Sequence, residues 1–315
     1  MNRIQKFKNQ IKRATEAGMI WEYLYGRLIS TYAFKFRSLK PVSLPVDIRA
    51  GIDNYRTYMY LKNKYQQLLI DEKNTQTKKE FKKVVWWCWF QGEAEAPELA
   101  KICLSSVREI FNEYDVIVVT DSNLSEYIDI PQYIQNKYEA GIIRPATYSD
   151  IIRLLLLEKY GGVWIDSSVL CTNSKIKEIL EREPFFVFRN DVLTNDKAIR
   201  ISSWLISSTA HHPLIVDTLK MMLSYWKKEN FTMNYFLIHL FFSIAADKNK
   251  EQFEKMPTFN NVTPHVMAKE LNEAYSPQRF KELNESLGVH KLTNHLKFQK
   301  KGTLYGYLKE RYLGS

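Results

Sequence analysis

A chain of 315 residues has room for one large α/β domain or for a domain carrying a substantial appendage. Its 45% hydrophobic and 25% charged residues are an ordinary globular balance, and apolar runs such as YFLIHLFFSIAA at 235–246, interrupted by His239, are too short to span a bilayer. The net charge is +10, and the three cysteines, Cys88, Cys103 and Cys171, form no CxxC pair, which argues against a zinc site or disulfide framework and suits a reducing compartment.

Residues 1–37 lack proline and read as helix. Residues 1–40 hold nine Lys and Arg against Glu16 and Glu22, so +7 of the +10 sits there. A basic segment interleaved with Ile, Phe, Trp and Tyr suits an anionic membrane surface. A solvated helical extension is the plain alternative, and packing of the apolar positions, Ile4, Phe7, Ile11, Met19, Ile20, Trp21, Leu24, Leu28 and Ile29, against the main domain is another. No nucleic-acid motif accompanies the charge, so no nucleic-acid partner is expected. The opening MNRIQKFKNQ has no signal-peptide apolar core, which predicts a cytoplasmic protein. KPVSLPVDIRAG, 40–51, breaks the pattern with two prolines and a glycine. Residues 52–73 predict a second helix, with Ile52, Tyr55, Tyr58, Met59, Tyr65, Leu68 and Leu69 mostly on one face. The polar DEKNTQTKKE, 71–80, reads as a linker. It divides a basic helical extension, 1–80, from a main domain, 81–315.

FKKVVWWCWFQG, 81–92, predicts a short buried strand. Pro97 then sits at a helix start, with apolar spacing to about residue 111. DVIVVTD, 115–121, predicts a second strand. A helix over 146–160 ends at Gly161, VWID at 163–166 predicts a third strand, and PFFVFR at 184–189 a fourth. Helices are expected at 213–228, 233–246 and 264–286, the last broken at Pro277. Alternating strands and helices predict an α/β fold with a parallel, helix-covered sheet.

The third strand ends on an acid, Asp166, at an energetic cost if the carboxylate is desolvated. In open α/β sheets ligands bind outside the carboxyl ends of the strands, so Asp166 is a candidate for holding a divalent cation that in turn binds a diphosphate. A capping or turn aspartate is the plain alternative. In the preceding helix, RPATYSDIIRLLLLEKYGG, Asp150 and Arg153 are three apart and share a face that is otherwise apolar. Arg suits phosphate oxygens, and Asp suits sugar hydroxyls. An intrahelical ion pair is the alternative.

SDIIRLLLLEKYGGVWID resembles the signature of family 32-type glycosyltransferases, more closely the capsular polysaccharide synthesis branch and distantly the large clostridial glucosylating toxins. VVWWCWFQG resembles the first strand of that family, and HKLTN, 290–294, a C-terminal motif. The likeness covers roughly 81–300. It implies a GT-A fold, with a Rossmann-like nucleotide-binding half and an acceptor half. It also implies transfer of a hexose, galactose or glucose, from a UDP-sugar with retention, to a lipid-linked saccharide acceptor in capsular or exopolysaccharide synthesis. The enzyme would sit peripherally at the inner face of the cell membrane. By this likeness Asp150, Arg153 and Asp166 are catalytic, and Trp89 and Tyr148 join Asp150 and Arg153 in binding donor and nucleotide. Trp89 would stack on the base. Asp166 would hold Mn²⁺ or Mg²⁺. Where many such enzymes carry Asp-x-Asp, this chain has Asp166-Ser167-Ser168, so Ser168 and His290 are the residues expected to complete the metal set. His239 is a candidate acceptor-site residue. The missing second acid leaves a rival reading, a non-catalytic glycosyltransferase-like scaffold in the assembly complex.

Overall fold

The computed structural model describes residues 3–16, 18–28, 46–69, 81–194, 196–294 and 296–314. Helix α1 spans Arg3–Glu16, α2 residues 20–28, and α3 Val46–Tyr65. Then follow β1 (Val84–Cys88), α4 (Glu98–Ile110), β2 (Asp115–Val119), α5 (Leu124–Tyr127), α6 (Gln132–Glu139), α7 (Pro145–Tyr160), β3 (Gly162–Ile165), β4 (Val169–Cys171), α8 (Lys175–Arg182), β5 (Phe185–Arg189), α9 (Asp191–Thr194) and β6 (Ile201–Ser208). The last third is mostly helical: α10 (Pro213–Lys228), α11 (Leu237–Lys248), α12 (Lys250–Lys255), α13 (Val266–Glu270), α14 (Pro277–Leu283), β7 (Val289–Lys291) and α15 (Leu304–Leu313).

The main sheet has the order β2-β1-β3-β6-β5. Strands β2, β1 and β3 are parallel, β6 runs against β3, and β5 runs against β6. Four of the five strands therefore point the same way, and their carboxyl ends share one edge. Both faces are covered. Trp86 and Trp164 pack with residues of α7, α10 and α11 on one side, while Val85, Val163 and Ile165 face α8 residues such as Ile176 and Leu180 on the other. Burial on both faces is why these strands read as continuous apolar runs rather than alternating ones. The α/β class and the four predicted strands are present. Strands β4, β6 and β7 were not foreseen; β6, ISSWLISS, is buried throughout although half of it is serine.

The Gly161-Gly162 pair serves the sheet. Both residues have positive φ, +68° and +92°. A Cβ on Gly162 would lie 2.4 Å from Val84 Cγ1 and 2.7 Å from the Val84 carbonyl oxygen; one on Gly161 would lie 2.6 Å from the Ala210 nitrogen. The Trp86 indole nitrogen donates to the Gly161 carbonyl at 2.9 Å. The close backbone approach that two glycines permit is thus made by neighbouring strands.

The N-terminal helices dock on the domain core. Gly18, at φ +68°, separates α1 from α2 where one helix was expected, and the remainder of that expected helix, from residue 29, lies outside the described residues. Ala14 and Tyr23 are buried, and Phe7, Ile11, Met19, Ile20 and Leu24 pack against the same cluster as α7 and α10. Arg13 donates to the carbonyls of Tyr138 and Glu139 at 3.1 Å each. On the outer side of α2, Trp21, Tyr25 and Leu28 are exposed. Helix α3 buries Tyr58, Leu61 and Tyr65, with Tyr65 edge-on to Phe241 of α11. The expected linker at 71–80 lies outside the described residues. Among the described residues no helix is long and apolar enough to cross a membrane.

Candidate active site

A single residue, Gly161, connects α7 to β3, so the helix must run back antiparallel to the strand. Asp150 lies ten residues before the end of α7, roughly 15 Å along a helix. Asp166 lies four residues beyond the start of β3, roughly 13 Å along a strand. The two lengths match, and the acids meet at the carboxyl edge of the sheet.

Arg153 lies between them. Its Nη2 is 3.2 Å from Asp150 Oδ1 and 3.3 Å from Asp166 Oδ1. Its Nη1 donates to the Ser203 carbonyl of β6 at 2.5 Å, and the guanidinium lies 4.9 Å from the Trp164 ring centroid. Its Nε has no hydrogen-bond partner among the described residues. Asp166 is further held by the Trp164 indole nitrogen, 2.8 Å from Oδ1, and by Lys291, whose Nζ is 2.9 Å from Oδ2. The same ammonium donates to Ser168 Oγ at 2.8 Å. The Asp166 backbone nitrogen donates to the Trp204 carbonyl at 2.9 Å, which fixes the turn out of β3.

Burial acts on both acids with opposite outcomes. It pushes the Asp150 carboxyl up to about 7, against the pull of Arg153 and helped by the negative charge of Asp166. Burial pushes Asp166 up as well, but the charges of Lys291 and Arg153 and hydrogen bonds from Lys291 and Trp164 outweigh it and hold this carboxyl below its ordinary value. One acid therefore stays ionised beside two cations, and its neighbour titrates near neutrality. Such divergence between paired acids is a mark of functional sites.

The family model for capsular polysaccharide synthesis proteins matches residues 45–310. The chain belongs to this family. The branch expected from the signature is the one found, and the match takes in α3 as well as the main domain. No curated protein matches the sequence. Among solved structures the chain is similar to one described as PaToxG Glycosyltransferase, at 16% identity and a TM-score of 0.38, over 64% of this chain and 80% of that one.

For this capsular synthesis protein the structure brings Asp150, Arg153, Asp166 and Ser168 together but does not add His290. Strand β7 pairs with β4 so that Lys291 faces Val169 and His290 faces Leu170. Successive side chains on a strand point to opposite faces. With Lys291 turned to Asp166, His290 turns away, and its Nε2 lies 2.9 Å from Asn284 Oδ1 and 3.3 Å from Thr172 Oγ1. Burial holds this imidazole down to about 4, so it is neutral in its pocket. The expected donor set for Mn²⁺ or Mg²⁺ is thus reduced to one carboxylate and one hydroxyl, both already bonded to Lys291. Among the described residues no group of three His, Cys, Asp or Glu is placed to hold a metal ion. These residues do not fit a divalent cation.

Two other expected residues sit in packing environments. Tyr148 is buried and stacked on Tyr138 at 3.8 Å, with its hydroxyl donating to Gln135 at 2.7 Å. Ring and hydroxyl both have protein partners, so the nucleotide role expected of it is not supported by its surroundings. Trp89, just past β1, packs with Trp87, Ala96, Ala100 and Leu104 on the α4 side of the sheet. His239 of α11 is close enough for Arg153 and Asp166 to act on it, although burial is the main cause that holds it down to about 3. The residues that sequence reasoning missed are Lys291, Trp164 and Ser203. Trp164 had a signal, being two residues before Asp166 and so on the same face of the strand.

Proposed function

We propose that this protein is a retaining glycosyltransferase that moves a hexose from a UDP-sugar to a lipid-linked saccharide acceptor. The observation that carries the reading is the Asp150–Arg153–Asp166–Lys291 cluster at the carboxyl edge of an open α/β sheet, where such sheets bind ligands. Membership of a capsular polysaccharide synthesis family supports it.

In this reading Asp150, which keeps 16% of its side chain exposed, accepts hydrogen bonds from donor-sugar hydroxyls. Arg153, almost wholly buried, fixes both carboxylates and adds a permanent positive charge. The bond between the anomeric carbon and the diphosphate oxygen breaks, and the diphosphate leaves with the electron pair. The acceptor hydroxyl oxygen bonds to the same face of that carbon, and its proton passes to the departing diphosphate oxygen. The charge developing on the leaving group is met by preoriented cations in a partly dehydrated site, the arrangement in which electrostatic stabilisation is strongest. The test is release of nucleoside diphosphate from a panel of sugar nucleotides by the parent and by Asp166→Asn. The parent hydrolyses at least one member slowly, and Asp166→Asn, with an unchanged melting temperature, loses about 10²-fold or more of that rate. Equal rates would overturn the assignment. No turnover by the parent with any donor favours the scaffold reading.

The lipid-linked acceptor places the enzyme at a membrane face. The exposed Trp21, Tyr25 and Leu28 on a helix within the basic segment suit an interfacial contact. Co-sedimentation with anionic but not zwitterionic vesicles, weakened by salt, is the expected result; no sedimentation with either rejects the membrane contact.

A further inference from the structure

We propose that the Lys291 ammonium is the resident cation of the donor site, binding the diphosphate of a sugar nucleotide without a divalent metal. The proposal rests on the donor-site reading above and concerns how that site holds its anion.

An ammonium has three N–H donors and no acceptor. Two of those of Lys291 are engaged, by Asp166 Oδ2 at 2.9 Å and Ser168 Oγ at 2.8 Å. The third has no partner among the described residues. The pair is not sealed in, since Lys291 keeps 19% and Asp166 25% of the side chain exposed. A free donor on a fixed cation at the mouth of the site is what a phosphate oxygen requires.

The surroundings favour this cation over a metal. Asp166 already bonds Trp164 and faces Arg153 through Oδ1, and bonds Lys291 through Oδ2. A divalent ion placed on this carboxylate would meet two positive groups, and the neighbouring hydroxyl, Ser168, is neutral and already bonded to Lys291. For an ammonium the same hydroxyl is a suitable acceptor that adds no charge. The cation is also held by backbone. Lys291 pairs with Val169 across the β4–β7 ladder, and the Leu292 nitrogen donates to the Ser168 carbonyl at 2.8 Å. The segment after β3 and the segment bearing Lys291 are therefore one unit, and the charge is positioned before the donor arrives. Arg153 is shared between both acids, whereas Lys291 bonds only Asp166 and Ser168 and keeps its third donor for the incoming diphosphate.

The test is calorimetric titration of the full chain with UDP, GDP and CDP, first in excess EDTA and then with Mn²⁺. It is run on the parent, on Lys291→Met, and on a double variant, Ser168→Asp with Lys291→Ala, which exchanges the ammonium for a second carboxylate. One nucleotide is expected to bind the parent in EDTA, with an affinity that Mn²⁺ changes by less than about twofold. Lys291→Met is expected to weaken it by about tenfold or more, the usual loss when a charge-assisted hydrogen bond to an anion is removed. The double variant is expected to bind only with Mn²⁺. Binding to the parent that requires Mn²⁺ would overturn the proposal whether or not Lys291→Met folds, as would unchanged affinity of a folded Lys291→Met in EDTA. If none of the three nucleotides binds under either condition, the donor-site reading fails and takes this proposal with it.

Discussion

The charged cluster at the sheet edge and the packing that surrounds it come from the same two stretches of sequence. In α7–β3, Asp150, Arg153 and Asp166 keep some exposure or unfilled hydrogen-bonding capacity, while Gly161 and Gly162 between them are pressed against β6 and β1. In β7, Lys291 reaches into the cluster, and its neighbour His290 closes a buried polar contact with Asn284 and Thr172. Each stretch therefore has residues that face a ligand and residues that make the facing possible. Adjacency in sequence does not tell the two kinds apart; substitution does.

The largest effect is expected on the packing side. Gly162→Ala would place a methyl within 2.4 Å of Val84 Cγ1 at a φ of +92°. Overpacking and backbone strain together cost about 3 kcal/mol or more, so little folded protein is expected by circular dichroism and thermal melting. A normally melting Gly162→Ala would show that β1 and β3 can separate. On the charged side Arg153→Lys should lower sugar-nucleotide turnover by about tenfold or more, with a smaller loss of melting temperature than Gly162→Ala, because a point charge cannot hold two carboxylates and the Ser203 carbonyl together. Parental turnover would reduce Arg153 to a packing residue.

The smallest effect separates the two acids by pH. The native carboxyl of Asp150 is raised from its ordinary value near 3.8 to about 7. Between those values the folded state binds the extra proton, so the contribution of this group is full below about 4 and is lost as pH rises through about 7. The melting temperature of the parent relative to Asp150→Asn should therefore fall as pH increases across that window. A constant difference would mean that Asp150 is ionised throughout, as an ordinary ion-pair partner of Arg153.

Much of this was legible in the sequence because charges inside apolar runs stand out. Asp150 and Arg153 interrupt an apolar helix, Gly161 stops it, and Asp166 ends a strand. What remained hidden depends on pairing between distant segments. The choice between His290 and Lys291 is a one-residue matter of register, and such a slip turns every side chain to the other face. The partner strand β4 is three residues long and lies more than a hundred residues away, so nothing local sets that register. Strand β6 was missed because its serines, buried in the sheet, imitate a polar loop. Tyr148 stands two residues before Asp150, a spacing that turns the two side chains to different faces of the helix, and its ring meets Tyr138 instead of the cluster. In the N-terminal helices both the charge and the apolar positions were legible, but whether those positions meet a membrane or the core is decided by packing against α7 and α10, far along the chain.

The most direct test of the donor site is a crystal structure of the full chain with the sugar nucleotide that it turns over, or with the nucleoside diphosphate that it binds. The account predicts diphosphate oxygens within about 2.7–3.2 Å of Lys291 Nζ, the sugar over Asp150, and Asp166 still bonded to Trp164. A nucleotide bound away from the carboxyl end of β3, with the Asp166–Lys291 pair untouched, would contradict it.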